Sequence, residues 1–429
     1  MNKLSVFFII FFIFISCKKE NNDTLPPTIS VFSPIENSTF NFGDAINIKA
    51  RVEDNNKLES ISIWLMDNEN ITVSSQITIA NPAKLQDVNV DLIIDNKFIE
   101  SGIHYLNIRA FDGENTKTVN IPIYINGIPK KFMGLIILCK NNNNTNVIQL
   151  DTNIQFKQLI TLNGDYSSSD ISSKYQLLFV AGSKTGSFNG INLTSNEINW
   201  SIPNQSSEQN AWFYKVYFNN STIYVSSHNN SISAYNINGN RIKIYLLPQN
   251  TISYSCYLSG NKFFAGTTTT NGSVKQLFQY YLSSGSLVTN HNFNYNIIDW
   301  ALLDDNKIYI FANDNNQGIV FSYDFIYNNY TQLHLVNGEK IVSVDKIAAK
   351  EFLILTNNKV YNYNNNSANS LSEIATTING KKIIFDPLLQ RFFVVKNLEI
   401  LNYSFPEANL QGTYLMTDSI YNAHLYYNR

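Results

Sequence analysis

Clusters of basic residues are missing from this 429-residue chain, and with them the electrostatic footprint of a nucleic-acid-binding protein. Its 31 Lys and Arg stand against 33 Asp and Glu, a net charge of −2. Glycine is scarce, 18 residues in a chain rich in asparagine. Asn therefore has to supply much of the left-handed backbone that tight turns need. Cysteine occurs only at Cys17, Cys139 and Cys256, so the region from Pro26 to Ile125 has no disulfide and must hold together by apolar packing. The five histidines, His104, His228, His291, His334 and His424, lie one to a region. None has a partner at metal-ligand spacing, so they read as surface or turn residues and no metal site is expected. The N-terminal apolar run, Leu4 to Ile15, falls short of the ~20 residues that span a bilayer. What remains, 44% hydrophobic and 15% charged residues, is a globular composition with enough apolar surface for more than one core.

One phrase recurs along the last three hundred residues. Asn306-Lys307-Ile308-Tyr309-Ile310-Phe311-Ala312 is a polar turn feeding a short apolar run, echoed from Leu135, Leu177, Thr222, Lys262, Glu351 and Arg391. The spacing averages about 43 residues, the period of a four-stranded propeller blade. The fourth repeat divides into strands at 297–303, 307–312, 318–325 and 330–336, joined by short polar turns. At its start the array enters at a second strand, 134–140, followed by 146–151 and 156–162. At its end a lone first strand, 419–427, has nothing left to pair with. Pairing the two ends gives a seventh blade from one C-terminal and three N-terminal strands, a closed ring without bare edges. The prediction is an all-β chain with a seven-bladed β-propeller over 132–429. Cys139 and Cys256 then sit on different blades, too far apart to bond, and are predicted to be free and buried.

Before the propeller, Pro26 opens about a hundred residues of alternating apolar positions, with Ile46, Ile48, Ala50 and Val52 on one face and Ile61, Ile63 and Leu65 in a second strand. The segment Gly102 to Asp112 resembles the penultimate strand of bacterial Ig-like and fibronectin-type domains, with Leu106, Ile108 and Ala110 inward and His104 as a structural corner residue. The resemblance implies an Ig-like β-sandwich over 26–126, a spacer or interaction module, with a hinge at 127–131. Trp64, out of phase with Ile63 and Leu65, is assigned to the domain junction.

At the extreme N-terminus, Met1-Asn2-Lys3 is positively charged, the apolar run follows, and Ser16-Cys17 ends it. Phe14-Ile15-Ser16-Cys17 resembles a bacterial lipobox. This implies a signal peptide over 1–16, diacylglycerol on the Cys17 thiol and acylation of the new amino group by a fatty acid such as palmitate. Residues 17–25 form a polar tether. By resemblance to Gram-negative lipoproteins, Lys18 after Cys17 implies an outer-membrane lipid anchor, with a periplasmic or cell-surface orientation left open. Two or three acyl chains anchor stably where one does not.

The stretch Gly190 to Trp200 resembles the quinoprotein docking repeat A-x-D-x-x-T-G-x-x-x-W, with Trp200 retained. Tyr281, Ser284 and Gly285 repeat part of it, with Thr289 at the Trp position. This implies a quinoprotein-like or YVTN-type ring. The vicinal cysteines and calcium site of the quinone enzymes are not in the sequence, and no cofactor is expected. The acidic turns at 304–306 and 313–316 read as solvated hairpins.

No catalytic residue is assigned, because a propeller site draws on several blades. Candidate binding residues are Trp212, Tyr214, Tyr254, Tyr295 and Trp300, aromatics beside amides and hydroxyls that suit sugar rings or a protein hot spot. The expected function is a non-catalytic binding or scaffolding platform in the cell envelope, with an envelope protein or glycan as partner. The alternative is a carbohydrate-active or quinone-type enzyme at the channel mouth. An enzyme should bring carboxylates, or a carboxylate with His or Tyr, into the channel with at least one shifted pKa. A binder should bring aromatics and amides without such a pair.

Overall fold

The computed structural model describes residues 23–206, 210–315, 317–336, 338–367 and 370–429. The expected signal peptide at 1–16, Cys17 and the expected tether through Asn22 lie outside them. The chain divides into two compact units, Met1–Pro129 and Lys130–Arg429, the break falling inside the 127–131 stretch. The described residues form strands, turns and loops and contain no helix.

The first unit is a β-sandwich. A three-stranded sheet orders Thr28–Ser33, Ala45–Glu53 and Leu85–Ile93. A five-stranded sheet orders Thr39–Asn41, Thr116–Asn126, Gly102–Phe111, Ser60–Met66 and Ile77–Ala80. Side chains alternate across a strand, so each sheet has one dry face. Ile46, Ile48, Ala50 and Val52 from one sheet meet Ile61, Ile63, Leu65, Leu106, Ile108 and Ala110 from the other in a single core. His104 is buried, its Nδ1 3.1 Å from the Gly102 carbonyl oxygen. Trp64 is half-buried on the other face of its sheet, lining a groove with Ser60, Ser62 and Arg109.

The second unit consists of seven four-stranded antiparallel sheets. In the fourth, Asn296–Asp304, Lys307–Asn313, Gly318–Asp324 and Asn329–Val336 follow one another as neighbours. The recurring apolar phrase is the second strand of every sheet. It reads as an unbroken apolar run because the sheets on either side cover both its faces; Leu177–Ala181, for example, is buried at every position. The fourth strands, such as Asn329–Val336, are mostly exposed. Of the fifteen non-glycine residues with positive φ among the described residues, ten are Asn, so asparagine does replace glycine at the turns.

Six sheets use consecutive strands. The remaining one orders Phe156–Leu162, Asn144–Leu150, Phe132–Asn141 and Ile420–Tyr427, so the last strand of the chain pairs with the first strand of the unit. The innermost strands touch in series from Ser168–Ser172 through Phe213–Asn219, Thr251–Ser259, Asn296–Asp304, Ile341–Ala348 and Lys382–Asp386 to Ile420–Tyr427, which returns to Ser168–Ser172. Cys139 and Cys256 are both free and buried; burial pushes their thiols up to about 12 and about 11, so neither is a reactive thiolate.

Candidate functional site: the channel cavity

The innermost strands converge around an axis where ladder pairing between sheets is impossible, so side chains take over. Ser168 Oγ accepts from the Val216 N–H (3.1 Å) and Asp170 Oδ2 from the Phe218 N–H (2.8 Å) of the next sheet. The same device recurs on the far side, where Ser343 Oγ accepts from Ile383 N–H (3.3 Å) and Asp345 Oδ2 from Phe385 N–H (2.6 Å). A Ser-x-Asp pair facing one way along a strand (period two) thus bridges to the neighbouring strand.

These strands enclose a cavity of ≈ 460 Å³ lined by Tyr166, Asp170, Tyr214, Lys215, Tyr217, Asp299, Lys382, Tyr421, Asn422 and His424, among others. On one wall Lys382 Nζ donates to Asn422 Oδ1 (2.7 Å) and the Ala423 carbonyl (2.8 Å). Asn422 Nδ2 donates to Tyr166 Oη and Ser169 Oγ, each at 3.0 Å. Ser169 Oγ lies 2.8 Å from His424 Nε2, and Tyr166 stacks on Tyr421. Two groups keep open valences. Lys215, half-buried, makes no hydrogen bond or ion pair with the described residues, and Asp299 uses only Oδ1, toward the Trp300 N–H (2.8 Å).

Desolvation dominates the electrostatics here. It raises the Asp170 carboxyl and lifts Asp299 and Asp345 to about 6. It lowers Lys382 to about 8 and drives His424 well below the ordinary imidazole range, so His424 is neutral. The signs fix a pH response. The raised carboxyls contribute stability that is full below 3.8 and lost as pH rises through about 6. The depressed Lys382 contributes stability that is full above 10.5 and lost as pH falls through about 8. Between these limits the channel holds its charges at a cost. Asp299→Asn is therefore expected to raise the melting temperature near about pH 7.5 and to leave it almost unchanged near about pH 4. Equal shifts at the two pH values in thermal unfolding would refute this.

Of the five aromatics selected from sequence, only Tyr214 lines the cavity, its Oη 2.9 Å from His228 Nδ1. Trp212 is half-buried edge-on to Phe213. Tyr254, Tyr295 and Trp300 join the packing cluster shared by the third and fourth sheets, where Trp300 stacks on Tyr257. Three of the five thus fill space between sheets. His424 is buried rather than a surface or turn residue. Asp170, Lys215, Asp299, Lys382 and His424 were missed. Their signal was available as polar residues, Ser168-Ser169-Asp170 and Ser343-Val344-Asp345 above all, inside the short strands that precede each recurring phrase.

No family model and no curated protein matches the chain. Solved structures do. A quinoprotein alcohol dehydrogenase-like protein from Bacteroides thetaiotaomicron superposes with a TM-score of 0.50 at 11% identity, over 92% of this chain and 99% of that one. The WD40 β-propeller domain of Doa1 gives 0.46 at 12% identity, over 62% and 90%. Hydrazine synthase from Kuenenia stuttgartiensis gives 0.47 at 10% identity, over 68% and 98%. At these identities the likeness concerns the fold alone, and the seven sheets of the second unit, touching in series and returning to the first, form a β-propeller.

Proposed function

We propose that this chain is an outer-membrane lipoprotein, anchored through Cys17, whose Ig-like sandwich carries a seven-bladed propeller that works as a non-catalytic binding platform. The observation that carries the reading is the channel cavity, where the Lys215 ammonium and one Asp299 oxygen have no partner among the described residues and stand beside the Tyr214 and Tyr421 rings. Holding such groups in a desolvated site opposes folding. A ligand with an anionic or acceptor group for Lys215, a hydroxyl or amine for Asp299 and a flat face for the rings would relieve that cost. A glycan end or a polar loop of an envelope protein has this chemistry. Asp170 and Asp345 fit a structural role, because both oxygens of each accept backbone N–H groups.

The test is affinity purification of the anchored protein after mild crosslinking, with Lys215→Ala beside the wild type and Trp212→Ala as a control outside the cavity. Recovery of a stoichiometric partner or glycan is expected to fall about tenfold or more with Lys215→Ala and to persist with Trp212→Ala. Equal recovery with all three chains would remove the channel from the reading.

A second reading, a carbohydrate-active or quinone-type enzyme at the same site, draws on the raised Asp170 and Asp299 carboxyls lining one cavity with His424, which is the pattern expected of an enzyme above. Turnover of an oligosaccharide lost in Asp299→Asn while binding is retained would favour it over the platform.

A further inference from the structure

Outside the propeller, three carboxylates gather at one end of the sandwich. Asp23, Asp54 and Asp112 each bring an oxygen into a group whose members lie within 4.8 Å of one another. The topology accounts for two of them. Asp54 follows the strand Ala45–Glu53 of one sheet and Asp112 follows Gly102–Phe111 of the other, and both are buried, at 8% and 2% exposure. Asp23 arrives from the tether. Its backbone oxygen accepts from Asn115 Nδ2 (2.8 Å) and its carboxylate from Asn55 Nδ2 (3.2 Å) and the Leu25 N–H (3.1 Å).

The bonding of Asp54 points to something beyond protein atoms. Its Oδ1 accepts from the Asn56 and Lys57 N–H groups at 2.7 and 2.9 Å. Its Oδ2 is fully buried and has no hydrogen-bond partner, and an orphaned carboxylate oxygen of this kind is strongly unfavourable unless a cation or donor meets it. The Lys57 ammonium is paired with Glu59 at 2.8 Å.

We propose that Asp23, Asp54 and Asp112 bind a calcium ion. The donors are all carboxylate oxygens, with no imidazole or thiolate, which selects a hard cation. A site assembled from two strand ends and a tether segment suits the irregular six- to eight-oxygen shell of Ca²⁺ better than the near-ideal octahedron that Mg²⁺ demands. The consequence is mechanical. The ion would join Asp23, which precedes the first strand, to the two strand ends. On the proposed reading of a lipid anchor at Cys17, calcium would fasten the chain that follows the anchor to the sandwich at Asp23.

The experiment is calorimetric titration of the full mature chain in detergent, stripped with EDTA, with CaCl₂ and separately with MgCl₂. One Ca²⁺ site is expected, with affinity in the ~0.1–1 mM range or tighter and weaker Mg²⁺ binding, and thermal unfolding should shift upward with Ca²⁺. Asp54→Asn is expected to weaken Ca²⁺ binding at least about tenfold. Should that variant fail to fold, Asp23→Asn, before the first strand, is expected to weaken binding in a chain that still unfolds cooperatively without calcium. No binding by the wild type up to about 10 mM Ca²⁺, equal affinity for Mg²⁺, or Ca²⁺ binding that both variants retain in full would overturn the assignment.

Discussion

A chain ended at Asp418 is expected to show no cooperative unfolding transition for the propeller unit and to run as an expanded or aggregated species. Removing the last strand takes away Ile420, Ala423, Tyr426 and Tyr427, all buried. At roughly 1.5–3 kcal/mol for each large buried side chain, their loss alone approaches the 5–15 kcal/mol that holds a typical domain together. The truncation also strips the pairing from Phe132–Asn141 and leaves its apolar core, Leu135 to Leu138, as a bare edge, which invites intermolecular pairing. A fastening between sheets is lost as well. Tyr427 Oη donates to Asp386 Oδ1 (2.9 Å), Asp386 is fully buried and pairs with Arg391 Nε (3.2 Å), and the Arg391 guanidinium lies 4.4 Å from the centre of the Phe132 ring. Without Tyr427 the buried Asp386 carboxylate loses a hydrogen-bond donor. Calorimetry and size-exclusion chromatography of the truncated chain read the outcome directly. A propeller transition within a few degrees of wild type, about ±3 °C on the scale of a 1 kcal/mol change, would sink the closure argument.

The second large effect concerns Trp200. Its indole covers Gly190 of its own sheet and Gly239 of the next, where added Cβ atoms would lie 2.3 and 2.6 Å from ring carbons. Its Nε1–H donates to the Ile237 carbonyl (2.8 Å), and it packs on Phe179 and Phe188. The ring thus docks one sheet onto its neighbour, and both glycines are needed because the ring lies flat on their backbone. Trp200→Ala is expected to destabilise the unit by about 3 kcal/mol, the low end for a tryptophan because the side chain is only half-buried. Gly190→Ala is expected to cost about 1–3 kcal/mol by displacing the ring. Since both changes act through one contact, the double variant should cost less than the sum, a coupling readable from denaturant midpoints in a double-mutant cycle. Strict additivity would mean that Trp200 acts elsewhere.

Much of this architecture can be read locally. A strand reports its faces by alternation, as at Ile46, Ile48, Ala50 and Val52, and a strand covered on both sides reports itself by an unbroken apolar run, as at Leu177 to Ala181. The C-terminal pairing follows from counting strands, because an array that begins at a second strand and ends on a first has one economical way to close. Trp200 was legible from a spacing motif, although its contact with Gly239 and Ile237 was not. The candidate site was hardly legible. An aromatic in a strand looks the same whether it points into a channel or between sheets, so Tyr214 and Trp300 could not be told apart.

The sequence by itself therefore determined the strand period, the pairing of the two ends of the propeller unit and the two free thiols, because each depends on residues close in the chain or on simple counting. Only the tertiary structure decided which polar groups meet. Asp170, Lys215, Asp299 and Lys382 come from four different sheets, and Asp23, Asp54 and Asp112 from a tether and two strand ends. Their burial, their shifted protonation and their open valences arise from convergence in space, which no local pattern of residues encodes.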